Sequence, residues 1–352
     1  MFTWIKKTGY VFAMSFCLLL IQASLVLAVT DIGSATIATD TVWTKEGSPY
    51  VVSNLTINTG VTLTVEAGTV VKLTSQGTVQ VNGKLVLNGT SSSPVVFTSI
   101  KDDSFGGDTD GVDEIPKRGE GGNIIVGNNG EFICDYTKLL YGGINKDKQY
   151  YVLINNGNSK LTNTLIKDFY GNAIKNAGEL IINHCDIIGQ NVDGIENNNK
   201  LRIDNSRIEV ERVGIISNKE AIVNNCKINS NYAWWSIGVE VTGEVIISDS
   251  QIFGKGTGIK SNGAKLELNG CTISSNQESI SGNNGIGLLG YGEFKLKNNQ
   301  FVANGVAIAF ERYPNDVVIV EDSGNTYSNN KYDGYGLVSL SNTAAKIKPL
   351  TK

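Results

Sequence analysis

The sequence predicts an all-β fold, a right-handed parallel β-helix whose coils repeat about every 21 residues and whose ends are capped. Three observations carry that expectation. The chain repeats an eight-residue pattern at nearly constant spacing, and one position of the pattern always holds a small side chain. Its composition is rich in Gly, with 40, and poor in Pro, with 5, and its Val and Ile fall in short alternating runs without helical periodicity.

The first 28 residues read as an export leader. Lys6 and Lys7 supply the positive flank, Val11 to Leu20 is nearly all apolar, and Val26-Leu27-Ala28 offers small-residue cleavage, so the expected mature chain begins near Val29. That apolar run is too short to favour a permanent span, and no other segment is long and apolar enough, so no membrane span is expected in the mature chain. Residues 29–340 are expected to form one β-helix domain, with caps at 29–50 and 317–340 and a mobile tail at 341–352. Caps are needed because a solenoid exposes an unpaired coil at each end.

The repeat is clearest from residue 159 onward. Coils open at Ser159, Leu180, Leu201, Ala221, Val245, Leu266 and Phe294, as SKLTNTLI, LIINHCDI, LRIDNSRI, AIVNNCKI, VIISDSQI, LELNGCTI and FKLKNNQF, with an earlier FICDYTKL from Phe132. Positions one, three and eight are mostly apolar, as inward strand positions should be. Positions four and five are rich in Asn, Asp and Ser, which bend the backbone and satisfy it locally. Position six holds Thr137, Thr164, Cys185, Ser206, Cys226, Ser250, Cys271 and Asn299, a column with room only for small groups. Later in each coil a Gly precedes an aliphatic residue, as in Gly194-Ile195, Gly214-Ile215, Gly238-Val239 and Gly258-Ile259. Three short strands per coil would stack at about 4.8 Å per turn. A β-sandwich has no reason to repeat the column at position six.

The N-terminal part follows the same logic in a looser register. The stretches PYVVSNLTINTGVTLTVEAGTVVKL, VQVNGKLVLNGTSSSPVVFTS and DDSFGGDTDG resemble the opening of secreted right-handed parallel β-helix proteins of the pectate-lyase-like superfamily. The resemblance covers roughly residues 48 to 126, and the Asn- and Gly-rich coils extend it to about 310. It implies the fold and export in the manner of bacterial extracellular proteins. It does not choose an activity, because the superfamily holds lyases, hydrolases and adhesins.

Cys134, Cys185, Cys226 and Cys271 are expected to be free thiols despite export. Three of them share position six in alternate coils, about 9.6 Å apart, beyond the roughly 7 Å that a disulfide bridges. The same spacing excludes a metal cluster built from them, and His184 is the single histidine.

Three constellations are candidates for chemistry. Asp108, Asp110 and Asp113 lie in a Gly-rich acidic loop and are the candidate metal ligands, with calcium as the candidate ion. A solvated loop is the alternative, since the full twelve-residue calcium pattern is missing. Tyr232, Trp234 and Trp235 lie in an insertion, NSNYAWWSIG, and are the candidate carbohydrate-binding residues, since exposed rings present flat apolar faces with polar edges. Asp186, Arg207, Lys227 and Gln251 share position seven and should stack outward, where ordinary ion pairing is worth little. They carry no catalytic assignment, and no Gly-His-Gly or clustered carboxylate pair is present.

With a net charge of −4, a nucleic-acid partner is not expected. The function expected from the sequence is non-catalytic binding of polysaccharide or cell-wall glycan on an extended solenoid face, by a secreted or cell-surface protein. A polysaccharide lyase or glycoside hydrolase acting on an acidic polysaccharide and a structural surface component are the alternatives.

Overall fold

The computed structural model describes residues 29–144, 150–275, 285–310, 317–335 and 347–348. The expected leader, residues 1–28, and nearly all of the expected tail lie outside them. The described chain is a parallel β-solenoid of about 13 turns with roughly 22 residues per turn. Its one helical segment is a single 3-10 turn at Lys45–Gly47. Among the described residues no helix is long and apolar enough to cross a membrane.

Each coil contributes three strands, and strands of successive coils pair in parallel along three ladders. The first ladder runs through Glu131–Asp135, Asn158–Thr162, Glu179–Asn183, Lys200–Asp204, Glu220–Asn224 and Glu244–Ser248. Its register aligns Phe132, Ser159, Leu180, Leu201, Ala221, Val245, Leu266 and Phe294, the coil openings of the repeat. The second ladder aligns Leu139, Ile166, Ile187, Ile208, Ile228, Ile252, Ile273 and Phe301, which is position eight. The third runs through Asn123–Val126, Tyr151–Asn155, Asn172–Asn176, Asp193–Asn197, Val213–Ser217 and Ile237–Val241.

The repeat therefore specifies the register. Positions one, three and eight fill the interior almost throughout. Position five turns the chain through the left-handed region, with φ of 47° at Asn163, 53° at His184, 49° at Asn205 and 50° at Asn225. Asn tolerates that conformation better than most residues because its short amide bonds locally. Residues within the expected terminal caps continue the ladders. Thr30–Ile37 pairs with Tyr50–Ile57, and Val317–Ser323 pairs with the end of Ile286–Lys297.

Position six is more than a column of small groups. Ser206 Oγ accepts the Cys185 backbone N–H at 3.0 Å and donates to the Asp204 carbonyl at 2.7 Å. Ser250 repeats this with the Cys226 N–H at 3.0 Å and the Ser248 carbonyl at 2.7 Å. All four cysteines from 134 to 271 are buried and free.

A second interior column, not read from the sequence, closes the third ladder. Asn155 donates to Asn176 Oδ1 at 2.7 Å, Asn176 to Asn197 Oδ1 at 2.8 Å, and Asn197 to Ser217 Oγ at 3.1 Å. The same amides reach the carbonyls of Glu179, Lys200 and Glu220. Buried amides are stable only when paired in this way.

Candidate functional site

The corner between the second and third ladders is where the coils differ. It takes two to four residues at 168–171, 189–192, 211–212 and 255–256, and ten at 141–150 and at 276–285. It expands to 100–122 in one coil, where the acidic loop sits, and to 231–236 five coils later, where the aromatic insertion sits. Both sequence candidates therefore lie on one edge of the solenoid, about 24 Å apart at the parallel strand spacing.

Exposed aromatic rings gather on this edge. Tyr150 is 43% exposed, Tyr170 48%, Tyr232 50%, Trp234 64% and Trp235 38%, and these are all the exposed aromatic side chains among the described residues. Tyr150 and Tyr170 meet edge to face at 5.8 Å, one coil apart, and Tyr232 and Trp235 do so at 5.7 Å. The sequence drew attention to the insertion because it lengthens a coil. Tyr150 and Tyr170 were missed because each stands next to another aromatic residue, Tyr151 or Phe169, at the edge of its own coil, with nothing in that coil to mark it as exposed. Aligning the corner segments of successive coils would have revealed them.

The aromatic insertion is braced from below. Ser236 Oγ accepts the backbone N–H groups of Tyr232 and Ala233 at 3.2 and 3.0 Å and donates to the Glu211 carbonyl at 2.7 Å. Lys255 Nζ donates to the Tyr232 carbonyl at 3.1 Å. The Arg212 guanidinium lies over the Trp235 ring at 5.9 Å and its Nε stands 3.5 Å from Asp193 Oδ1.

Polar side chains line the adjoining face of the third ladder. Asp193 is 9% exposed and accepts the Val213 N–H at 3.0 Å. With its amide oriented to satisfy its neighbours, Asn172 donates to Asp193 Oδ2 at 3.2 Å. Burial raises the Asp193 carboxyl above the usual range, against the pull of Arg212. Tyr151 donates to Glu196 Oε2 at 2.6 Å across two coils, and Asn198 donates to Glu196 Oε1 at 2.8 Å. Burial, then the Glu196 carboxylate, pushes the Tyr151 hydroxyl up to about 12. Beyond them Glu240 pairs with Lys260 at 3.2 Å. These carboxylates are tied into the scaffold by named donors.

The acidic loop folds as a strap over the second ladder. Lys101 closes its neck with Glu114 at 2.9 Å and Glu120 at 3.1 Å. Asp108 Oδ1 accepts the N–H groups of Asp110 and Gly111 at 3.1 and 2.8 Å, and Asp110 Oδ1 accepts that of Val112 at 3.1 Å. Among the described residues no three His, Cys, Asp or Glu side chains are grouped to hold a metal ion. Beneath the strap lies Lys72, fully buried, whose Nζ donates to the Gly107 carbonyl. Past its neck, the strap carries Arg118 to the Gln190 carbonyl, toward the aromatic insertion.

The position-seven row stacks as the repeat requires, Asp186 beside Arg207 beside Lys227 beside Gln251. Arg207 pairs with Asp186 at 2.8 Å and Glu209 at 3.4 Å, with about two-fifths of the Arg207 side chain exposed. This row belongs to the second ladder, whereas the polar line from Tyr151 to Glu240 belongs to the third.

Residues 35–155 match the family model described as a pectate-lyase like beta helix domain. No curated protein matches the chain. Among solved structures, the chain is similar to the periplasmic alginate epimerase AlgG at 10% identity, covering 86% of this chain and 76% of that one, with a TM-score of 0.39. It is similar to the A-module of the Azotobacter vinelandii mannuronan C-5 epimerase AlgE6 at 12% identity, covering 86% and 90%, with a TM-score of 0.41. It is also similar to the catalytic domain of a GH87 alpha-1,3-glucanase in complex with nigerose, at 10% identity over 86% and 64%, with a TM-score of 0.23.

Proposed function

We propose that this protein is an exported, non-catalytic glycan-binding solenoid whose ligand lies along the corner between the second and third ladders. The observation that carries the reading is the gathering of all exposed aromatic side chains among the described residues on that one edge. Large apolar surface left in water is costly unless it has a partner, and a row of rings with polar edges suits a chain of sugar rings. Tyr150 and Trp235 stand four coils apart, about 19 Å at the strand spacing, so one extended polymer can touch both ends of the row.

The polar groups beside the rings fit binding better than bond cleavage. Glu196 is held by Tyr151 and Asn198, and Asp193 by Val213 and Arg212, so each carboxylate already has donors. Polysaccharide or cell-wall glycan is the partner class this surface fits.

Binding of the chain from Val29 onward to a polysaccharide array tests the reading. The Trp234→Ala plus Trp235→Ala variant should lose binding to the glycan that the parent retains, with the melting temperature little changed. A variant that binds every glycan as well as the parent removes the aromatic insertion from the site. Release of shortened or unsaturated sugar products by the parent overturns the non-catalytic assignment.

A further inference from the structure

The acidic loop is the one motif of the sequence that glycan binding leaves unexplained. It crowds Asp102, Asp103, Asp108, Asp110 and Asp113 into one strap. Such a strap ordinarily needs a counter-ion to fold.

The structure supplies a cation from the chain itself. Lys72 is 0% exposed, although it occupies an outward position of its strand, aligned with Val51 in the preceding coil and Thr98 in the next. Its stem runs beneath the strap and its ammonium meets the Gly107 carbonyl at the strap's centre. Burial acts most strongly on its charge and lowers its hold on the proton, while Asp103, Asp102, Asp110 and Asp108, in that order, act to keep it charged. Asp103 Oδ1 is buried without a hydrogen-bond partner, and burial, then Asp108, raises its carboxyl against the pull of Lys72. Asp102 is buried and fixed by Thr98 Oγ1 at 2.5 Å and by Ser104. Gly106 takes φ of 73° and packs so closely that a Cβ there would meet Pro49 Cβ at 3.0 Å and come within 3.6 Å of Lys72 Cε. The strap is thus shaped around the lysine stem.

We propose that the Lys72 ammonium occupies the role of a divalent cation, making strap 101–114 a clasp that closes over the solenoid without calcium. The lysine charge offsets the carboxylates from inside, and the backbone carbonyl of Gly107 takes the place of a ligand oxygen. This explains how a calcium-like acidic composition occurs where the carboxylates of Asp108 and Asp110 bond their own loop N–H groups. It also assigns Lys72 a role that its sequence position, amid the alternating run Val70 to Val81, conceals. Just beyond the clasp Arg118 bonds the Gln190 carbonyl, so its closure also ties the strap to the middle of that corner.

Limited proteolysis of the chain from Val29 onward tests the proposal, with cut sites within 101–120 mapped by mass spectrometry. The parent should be cut at the same slow rate with excess chelator and with millimolar calcium. Lys72→Met should be cut in the strap on the order of tenfold faster in chelator, since cleavage tracks local opening, and calcium should slow that cleavage. Lys72→Arg, which keeps the charge, should remain closer to the parent. A parent whose strap opens in chelator and closes in calcium overturns the proposal, as does a folded Lys72→Met whose strap resists as well as the parent. If Lys72→Met fails to fold, the parent's response to chelator and calcium decides alone. None of these results depends on glycan binding.

Discussion

Arg212 holds its guanidinium 5.9 Å from the centre of the Trp235 ring while its Nε stands 3.5 Å from the Asp193 carboxylate. One side chain thereby couples the aromatic insertion to the polar face of the third ladder. The coupling predicts that Arg212→Ala loosens Trp235 rather than the fold. A partly exposed cation–π contact is worth about 0.5–1 kcal/mol, so glycan affinity should fall roughly two- to fivefold. Tryptophan fluorescence should change in the same variant with little loss of melting temperature. Unchanged fluorescence and affinity would mean that the insertion is held by Ser236 and Lys255 alone.

Asp193 makes stability depend on pH in a stated direction. Burial raises its carboxyl, against the pulls of Arg212 and the Val213 N–H. A raised carboxyl binds its proton more tightly in the folded chain than in the unfolded one. Its contribution is therefore present at low pH and is lost as pH rises from about 4, the unfolded value, through the folded value. Asp193→Asn carries no such penalty, so its stability relative to the parent should improve with rising pH across that window. Denaturant titrations of both proteins from acid to neutral pH check this, and a parent that gains on the variant would reverse the assignment.

Position six predicts a graded series. Ser206→Ala leaves the Cys185 N–H without its acceptor inside the solenoid, at a cost of about 1–3 kcal/mol. Ile208→Asp, two residues further along, buries an unpaired charge and should unfold the chain. Chemical denaturation orders the two, and an Ile208→Asp protein as stable as Ser206→Ala would contradict the register.

The four thiols should be silent until the chain unfolds. Burial pushes Cys185, Cys226 and Cys271 up to about 11 and raises Cys134 too, so little thiolate exists at neutral pH. Alkylation of the chain from Val29 onward should label none in the native state and four after denaturation without reductant. A pair that resists labelling after denaturation would reveal a disulfide.

Much of the fold was legible because a solenoid writes its register into the chain. Position eight, from Ile166 to Ile273, recurs once per coil, and so does the left-handed turn at Asn163, Asn205 and Asn225. What escaped was whatever depends on neighbouring coils. The Asn155–Asn176–Asn197 column looks like turn residues until their amides are seen to meet inside. Lys72 looks solvated because its strand alternates, yet it is buried and its ammonium bonds the strap at Gly107. Tyr150 and Tyr170, which join Trp234 and Trp235 on the exposed edge, come from separate coils. In the acidic loop, the carboxylate spacing was legible, but not that Asp108 and Asp110 spend their oxygens on their own backbone.

The most direct test of the account uses one glycan that binds and varies its length. Affinity should rise until the oligosaccharide spans about 19 Å, the four-coil distance from Tyr150 to Trp235, and then level off. Tyr150→Ala plus Tyr170→Ala should abolish the gain from length while leaving short-chain binding at the tryptophans intact, each lost ring costing on the order of 1 kcal/mol. Affinity that is independent of length, and equal in this variant and the parent, would contradict an extended binding edge.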